Sequence, residues 1–265
     1  MDDRTGLAKK IRREVLEMLY RTKSPHIGGC FSCVEILIAL YFEIMKVSPE
    51  TKKNPERDIF ILSKGHAAPA LYSVLAERGF IPEEKLNSFA VDGGELEYHP
   101  RKNADFGIEL TTGSLGYGIS VGLGIAKARK PDGLKSKVFV LSSDGDMQEG
   151  SVWPALMLAS KHNLDNLIVL VDYNRIQAIE RTENILDLEN LAEKFRAFGW
   201  EAREVNGHNV EQIIGACKNI SKPTAIICNT IKGKGVSFME NEVVWHSRVP
   251  NDEEYQKAIA ELKSI

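Results

Sequence analysis

Asp144 and Asn174 each follow a short apolar run, and 30 residues separate them. Residues 138–141 lead into Ser142-Ser143-Asp144-Gly145-Asp146, and residues 167–171 lead into Asp172-Tyr173-Asn174. If both runs are strands, the spacing leaves room for one helix and one strand, so the two side chains leave equivalent positions on neighbouring strands. A carboxylate and a carboxamide brought together in this way can share one divalent cation. With a backbone carbonyl such as that of Ile176, phosphate oxygens and water, they meet the near-octahedral, all-oxygen demand of magnesium, for which calcium or manganese would substitute. Gly145 lets backbone amides approach a phosphate, and a helix starting near Gly150 favours negative charge there. Taken singly, Asp-Gly is ordinarily a turn and an Asn after a strand ordinarily a cap. Their pairing at this spacing points to a metal ion that holds a phosphate group.

Four of the six histidines, His26, His66, His99 and His246, lie in irregular segments or after apolar runs, where imidazoles can donate hydrogen bonds or exchange protons. Each alone is more often structural, and His162 and His208 read as structural. Residues 111–118, TTGSLGYG, form a glycine-rich turn entering a helix that carries Gly122 and Gly124. Those glycines suit close helix packing and a ligand equally well. Lys232 and Lys234, in KGKG, can face an anionic ligand, but loop lysines are ordinarily solvated and rank second. Cys30 and Cys33 make a CxxC without a second pair, and Cys33 opens an apolar run, 34–45, that reads as a buried helix. A structural role is the better reading.

The elements needed to position these groups are visible in the apolar pattern. Leu7, Ile11, Val15 and Met18 or Leu19 recur at helical period, predicting an amphipathic opening helix. Apolar runs at 58–62, 138–141, 167–171 and 224–231 predict buried strands, and 67–78, 118–129, 152–162 and 191–198 predict helices between them. The alternation predicts an α/β fold, a doubly wound, mostly parallel sheet with helices on both faces, whose ligands sit beyond the carboxyl ends of the strands. Segments 46–57 and 91–107 read as long loops.

A chain of 265 residues, 43% hydrophobic, can bury one large core, so residues 1–265 read as a single domain. The 34 basic and 37 acidic residues are well mixed, with a formal net charge of −3, which leaves no electrostatic footprint for nucleic acid or an anionic membrane. An anion must be held by a local site. No apolar run approaches the roughly 20 residues of a membrane span, and the charged start lacks a signal-type segment. Four scattered cysteines suit a reducing compartment, so the expected location is cytoplasmic.

The segment SDGDMQEGSVW…DYNRIQ resembles the thiamine diphosphate motif of transketolases, and SPHIGG, LSKGHAAPALYSVLAERG, YHP, TTGSLGYGISVGLGIA and IKGKGVSFMENEVVWH match in the same order. The resemblance covers about residues 5–260. It implies the diphosphate-binding (PP-type) domain of a thiamine diphosphate enzyme, with Asp144, Asn174 and Ile176 on the metal. It gives His66 and His246 to the diphosphate, His26 and His99 to the substrate, and Gly113 and Leu115 to the aminopyrimidine side. Gly145 joins the cofactor contacts, as does Glu149, a position the family also uses at the subunit interface. The activity implied is transfer of a two-carbon ketol unit from a ketose or ketose phosphate donor to an aldose acceptor. The glutamate that activates the cofactor belongs, in this family, to a separate pyrimidine-binding domain. A partner chain carrying that domain and the C-terminal domain is therefore expected, in a two-plus-two heterotetramer.

Three departures stand out. Ser143 replaces the first glycine of GDG, Pro154 replaces a second interface glutamate, and SPH and YHP carry Pro25 and Tyr98 where glycine is more usual. Changes on both sides of the presumed funnel suggest an altered substrate preference. The alternatives are a subunit resembling 1-deoxyxylulose-phosphate synthase or a keto-acid dehydrogenase, and a non-catalytic scaffold of the same fold. No GxGxxG follows the first strand, which disfavours a nicotinamide-binding reading.

Overall fold

The periodic apolar face of Leu7, Ile11, Val15 and Leu19 forms α1 (Asp3–Thr22) in the computed structural model, which describes residues 3–263. A left-handed His26 then turns the chain into α2 (Ile27–Ser32) and α3 (Val34–Ile38), and a π-helical turn, Ala39–Ile44, completes the buried run predicted as one helix. After a loop come β1 (Ile59–Leu62), α4 (Ala68–Glu77), α5 (Tyr117–Arg129), β2 (Val138–Ser143), α6 (Val152–Lys161) and β3 (Leu167–Tyr173). They are followed by α7 (Thr182–Ile185), α8 (Leu191–Ala197), β4 (Glu201–Asn206), α9 (Val210–Ala216), β5 (Thr224–Asn229) and α10 (Asp252–Lys263). Segments 46–57 and 91–107 hold no helix or strand. Two isolated bridges, Phe89 with Leu96 and Asn103 with Ile108, pin the second segment.

The strands lie in the order β1-β2-β3-β5-β4, with every pairing parallel. β4 was not legible as a strand. Its sequence, EAREVN, buries only Ala202 fully, as suits an edge that half faces solvent. The other four strands are apolar on both faces because helices cover both. Phe139, Leu141, Ile168 and Leu170 pack with α1, α3 and α4. Val138, Val140, Leu167 and Val169 pack with α5, α6 and α8. Alternate residues of one strand thus feed two cores.

The structure separates the glycines of α5 that the sequence left undecided. A Cβ on Gly118 would meet the Ser63 side chain at 2.5 Å, and one on Gly122 would meet Val140 Cγ2 at 2.6 Å, whereas Gly124 has nothing within 4 Å. Gly118 and Gly122 therefore serve the seating of α5 against the sheet. Gly122→Ala is expected to cost about 1–3 kcal/mol through overpacking against a stiff β-branched neighbour. Gly124→Ala, by contrast, should be neutral or stabilising by up to about 1 kcal/mol. Urea unfolding of the two variants measures both effects. Equal responses would rule out the packing role.

Candidate functional site

Loops leaving β1, β2, β3 and β5 converge beyond the carboxyl end of the sheet on a cleft of about 270 Å³, the place where open parallel sheets bind ligands. Its lining includes Asp144, Gly145, Asn174 and Ile176, the histidines His26, His66, His99 and His246, and Gly113 and Leu115. Glu149 alone among the sequence-predicted site residues is not in this lining. It is exposed and packs where a Cβ on Gly116 would fall.

The metal side is built by two turns. Parallel register pairs Ser143 with Asp172, so the residue level with Asp144 is Tyr173, and Asn174 lies one step further along. The equivalence expected from spacing is thus off by one, because the helix and loop between the strands set the register, not the count of 30. Both side chains still reach the cleft. Asn174 Oδ1 accepts from the Ile176 amide at 3.1 Å across a left-handed Arg175 (φ 63°), an Asx-type turn that fixes the carboxamide. Asp144 accepts from the Gly145 amide at 3.0 Å and from Thr182 Oγ1 at 2.8 Å. Ser143, in place of a glycine, does not loosen its turn. Its amide (2.9 Å) and hydroxyl (2.7 Å) both donate to Asp146 Oδ2. Asp146 Oδ1 also accepts from the Gly116 amide at 2.7 Å and from Ser63, which clamps the glycine-rich turn to the end of β2.

A divalent cation fits this donor set. One carboxylate, one carboxamide and one backbone carbonyl are hard oxygen ligands, and among the described residues no group of three or more His, Cys, Asp or Glu is placed to hold a metal. A single negative charge thus leaves coordination to be completed by an anionic ligand and water. Gln177 Nε2, in the same cleft, is buried without a hydrogen-bond partner, as a donor awaiting an anion would be.

The cleft is also cationic. Lys232 is buried, donates to the Ile176 carbonyl at 2.7 Å and reaches His246 Nδ1 at 2.8 Å. Burial lowers its pKa to about 7, with Lys64 adding to the effect and Asp144 opposing it. Burial pushes Asp144 up to about 6, with the Asp172 charge adding to it while the Thr182 hydrogen bond and both lysines work against it. Deeper in, Lys64 is fully buried against Asp172, which also accepts from Ser32 at 2.6 Å and from Thr230. Burial disfavours charge on both, yet their mutual attraction and hydrogen bonds hold Lys64 above and Asp172 below its ordinary value. Lys64 also donates to the Gly29 carbonyl at 2.9 Å.

Three of the four histidines form one cluster. Ring centroids lie 5.1 Å apart for His26 and His66, 4.8 Å for His26 and His246, and 5.8 Å for His66 and His246. Burial first, then the neighbouring cations, lowers His26 to about 4, His246 to about 3 and His66 well below its ordinary value, while burial alone lowers His99. All four are uncharged near neutral pH. Each therefore offers one N–H donor and one acceptor nitrogen.

Lys64, Asp172 and Gln177 were not singled out from sequence, and Lys232 was ranked second. The available signal was Asp172 itself, an acid inside the otherwise apolar run LIVLVDY, which requires a buried partner. Lys234 is not in the cleft and pairs with Glu240 at 3.1 Å. His208 also stands outside it, bonded to Glu35 (2.9 Å) and the Ile231 amide (2.8 Å), and His162 is exposed. Cys30 and Cys33 are fully buried in the core, as expected of structural residues. Among the described residues no helix is long and apolar enough to cross a membrane.

Residues 3–262 match the family described as transketolase, thiamine diphosphate binding domain. The chain is 42% identical over 259 residues to one subunit of the apulose-4-phosphate transketolase of Phocaeicola vulgatus, covering 96% of this chain and 92% of that one. It is 41% identical over 260 residues to the 6-deoxy-6-sulfo-D-fructose transketolase subunit SqwG of a Clostridium species, covering 97% and 94% respectively. Among solved structures, transketolase from Campylobacter jejuni superposes with a TM-score of 0.90 at 29% identity, covering 99% of this chain but only 43% of its own.

Proposed function

The chain belongs to the transketolase family, in its thiamine diphosphate-binding domain, and from that premise we propose that it is the diphosphate-binding subunit of a split transketolase. It would transfer a two-carbon ketol unit from a ketose or ketose phosphate to an aldose, in the cytoplasm, with magnesium. The carrying observation is one cleft that unites Asp144, Asn174 and the Ile176 carbonyl with two buried lysines and four uncharged histidines.

Asp144, Asn174 and Ile176 would hold the divalent ion, with Lys232, His66, His246 and the Gly145 turn around the diphosphate. When bound, thiamine diphosphate supplies the carbon nucleophile and the electron sink for breaking and making a bond beside a carbonyl. The chain's residues then bind and orient. Lys232 would offset negative charge of the diphosphate, to which the Asp144 carboxylate adds. Uncharged His26 and His99 donate hydrogen bonds to substrate oxygens where charge develops and collapses, and a ring nitrogen can pass a proton there.

Several features support a partner chain. Among the described residues the cleft lining contains no glutamate, so the activating carboxylate must come from elsewhere, and 270 Å³ falls below the roughly 300–1,000 Å³ that enclose a whole small ligand. Two apolar side chains close in sequence to cleft-lining residues are exposed: Ile179, 81%, follows Ala178, and Tyr117, 62%, lies two residues after Leu115. Exposed apolar side chains beside a cleft are consistent with an interface between chains. Relatives that are themselves named as transketolase subunits support the same division, and a two-plus-two assembly is the form we propose.

The test is isolation of the chain with its native partner, followed by calorimetry with thiamine diphosphate and magnesium and a ketose panel assay. Metal-dependent binding with ketol transfer is expected. Decarboxylation of pyruvate in place of ketol transfer would favour a synthase-like or dehydrogenase-like chain, and no metal-dependent binding would favour a scaffold.

A further inference from the structure

His26 is held more tightly than a residue that only lines a cleft needs to be. Its backbone is left-handed (φ 77°), a conformation costly for a residue with a Cβ. Its amide donates to the His246 carbonyl at 2.9 Å, and its carbonyl accepts from the Cys30 amide at 3.1 Å. The ring is boxed by His66 and by His246, which meets it edge-on at 88°. One ring nitrogen, Nδ1, is hydrogen-bonded to the hydroxyl of Tyr98.

Both partners in that bond are uncharged near neutral pH, because burial lowers the imidazole's pKa and raises the phenol's. Two arrangements are then open: the phenol donates to Nδ1, or Nδ1–H donates to the phenol oxygen. Among the hydrogen bonds of the described residues the Tyr98 hydroxyl has no other acceptor, so the first arrangement pairs the phenol proton and leaves only Nε2–H open toward the cleft, whereas the second leaves both the phenol proton and Nε2 unpaired. Tyr98 is itself wedged by Phe89 at 6.3 Å and by His99 at 4.9 Å, so the hydroxyl is aimed by packing.

We propose that Tyr98 is a positioning residue for His26: its hydroxyl fixes the imidazole as the tautomer protonated at Nε2 and leaves that N–H as the donor His26 presents to the cleft. This rests on the reading of the site in that His26 is given the substrate. The residue before His99 thereby acts on His26, which comes from a different loop.

Tautomer state can be read without activity. In the full chain labelled with nitrogen-15 histidine, long-range proton–nitrogen correlation should show His26 with an unprotonated Nδ1 and a protonated Nε2. Tyr98→Phe keeps the ring and should move both nitrogens toward tautomer averaging. Tyr72→Phe is the control, since Tyr72 donates to the Glu97 carbonyl at 2.8 Å and braces the same loop without touching His26. It should leave the His26 signals in place. In the partnered enzyme Tyr98→Phe should lower kcat/KM for the ketose about 5-fold, on the scale of one neutral hydrogen bond, with cofactor affinity unchanged. A wild-type proton on Nδ1, an unchanged Tyr98→Phe spectrum, or an equal response in Tyr72→Phe would each overturn the assignment. Absence of ketol transfer by the wild-type assembly would count against the reading of the site, and the tautomer spectrum still decides for or against Tyr98.

Discussion

Replacing Asp144 by alanine is expected to lower affinity for thiamine diphosphate and magnesium by roughly 100-fold or more, since even the loss of groups that merely orient a metal ligand costs 10- to 100-fold. The fold should survive the change. Asp144 is 2% exposed and burial pushes its pKa up to about 6, so the ionised carboxylate opposes folding near neutral pH. For a raised carboxyl pKa the linked stability is fully present below the unfolded value and is lost as pH rises through about 6. Alanine removes that loss, and it also removes the bonds from Thr182 and Gly145, so the net change in stability should be small. Ligand binding has the opposite pH dependence. A metal needs the deprotonated oxygen, so wild-type affinity should fall as pH drops through about 6. Calorimetry across that range, with a thermal melt of each protein, measures both. Affinity within about 3-fold of wild type would remove Asp144 from the metal site.

The strands that carry this site could be read because they are buried on both faces. Residues 138–141 and 167–171 are uninterrupted apolar runs, and each ends in an oxygen-bearing side chain. Such runs ending in polar groups mark the site end of a parallel sheet. β4 carries the opposite signal, since an edge strand paired on one side needs little apolar content, and EAREVN resembles a loop. Register was also invisible. The offset that sets Asp144 level with Tyr173 is determined by three-dimensional packing of the helix between the strands.

Charges behaved similarly. A lysine in SKGH or KGKG is solvated by default, and only the fold shows Lys64 and Lys232 with almost no exposed surface. What separates Lys232 from Lys234 is a glycine between them with φ 78°. That turn sends one lysine inward to Ile176 and the other outward to Glu240. Ser143 is a further case. As a departure from glycine it put the tightness of the turn in question, yet its hydroxyl bonds to Asp146, a carboxylate three residues on.

Lys64→Met should be the most destabilising single change near the site, because it strands Asp172 at 0% exposure without its counter-charge. Breaking a buried pair from one side costs about 3–5 kcal/mol, which for a chain of this size lowers the melting temperature by on the order of 10 °C. Ser32 and Thr230 would still donate to Asp172, but two hydroxyls do not replace an ammonium. Adding Asp172→Asn removes the stranded charge; its one carboxamide oxygen still accepts from one of the two hydroxyls and its NH2 can donate to the other, so the double variant should regain most of the loss. Its function should not return with its stability. Lys64 lines the cleft and contributes to the positive field that lowers His26, His66 and His246. Without it a bound diphosphate loses a buried cation, and affinity should stay at least about 10-fold down, the effect of little more than 1.4 kcal/mol. Thermal melts paired with calorimetry separate the two roles. A double variant that recovers affinity along with stability would show that Lys64 serves only to neutralise Asp172.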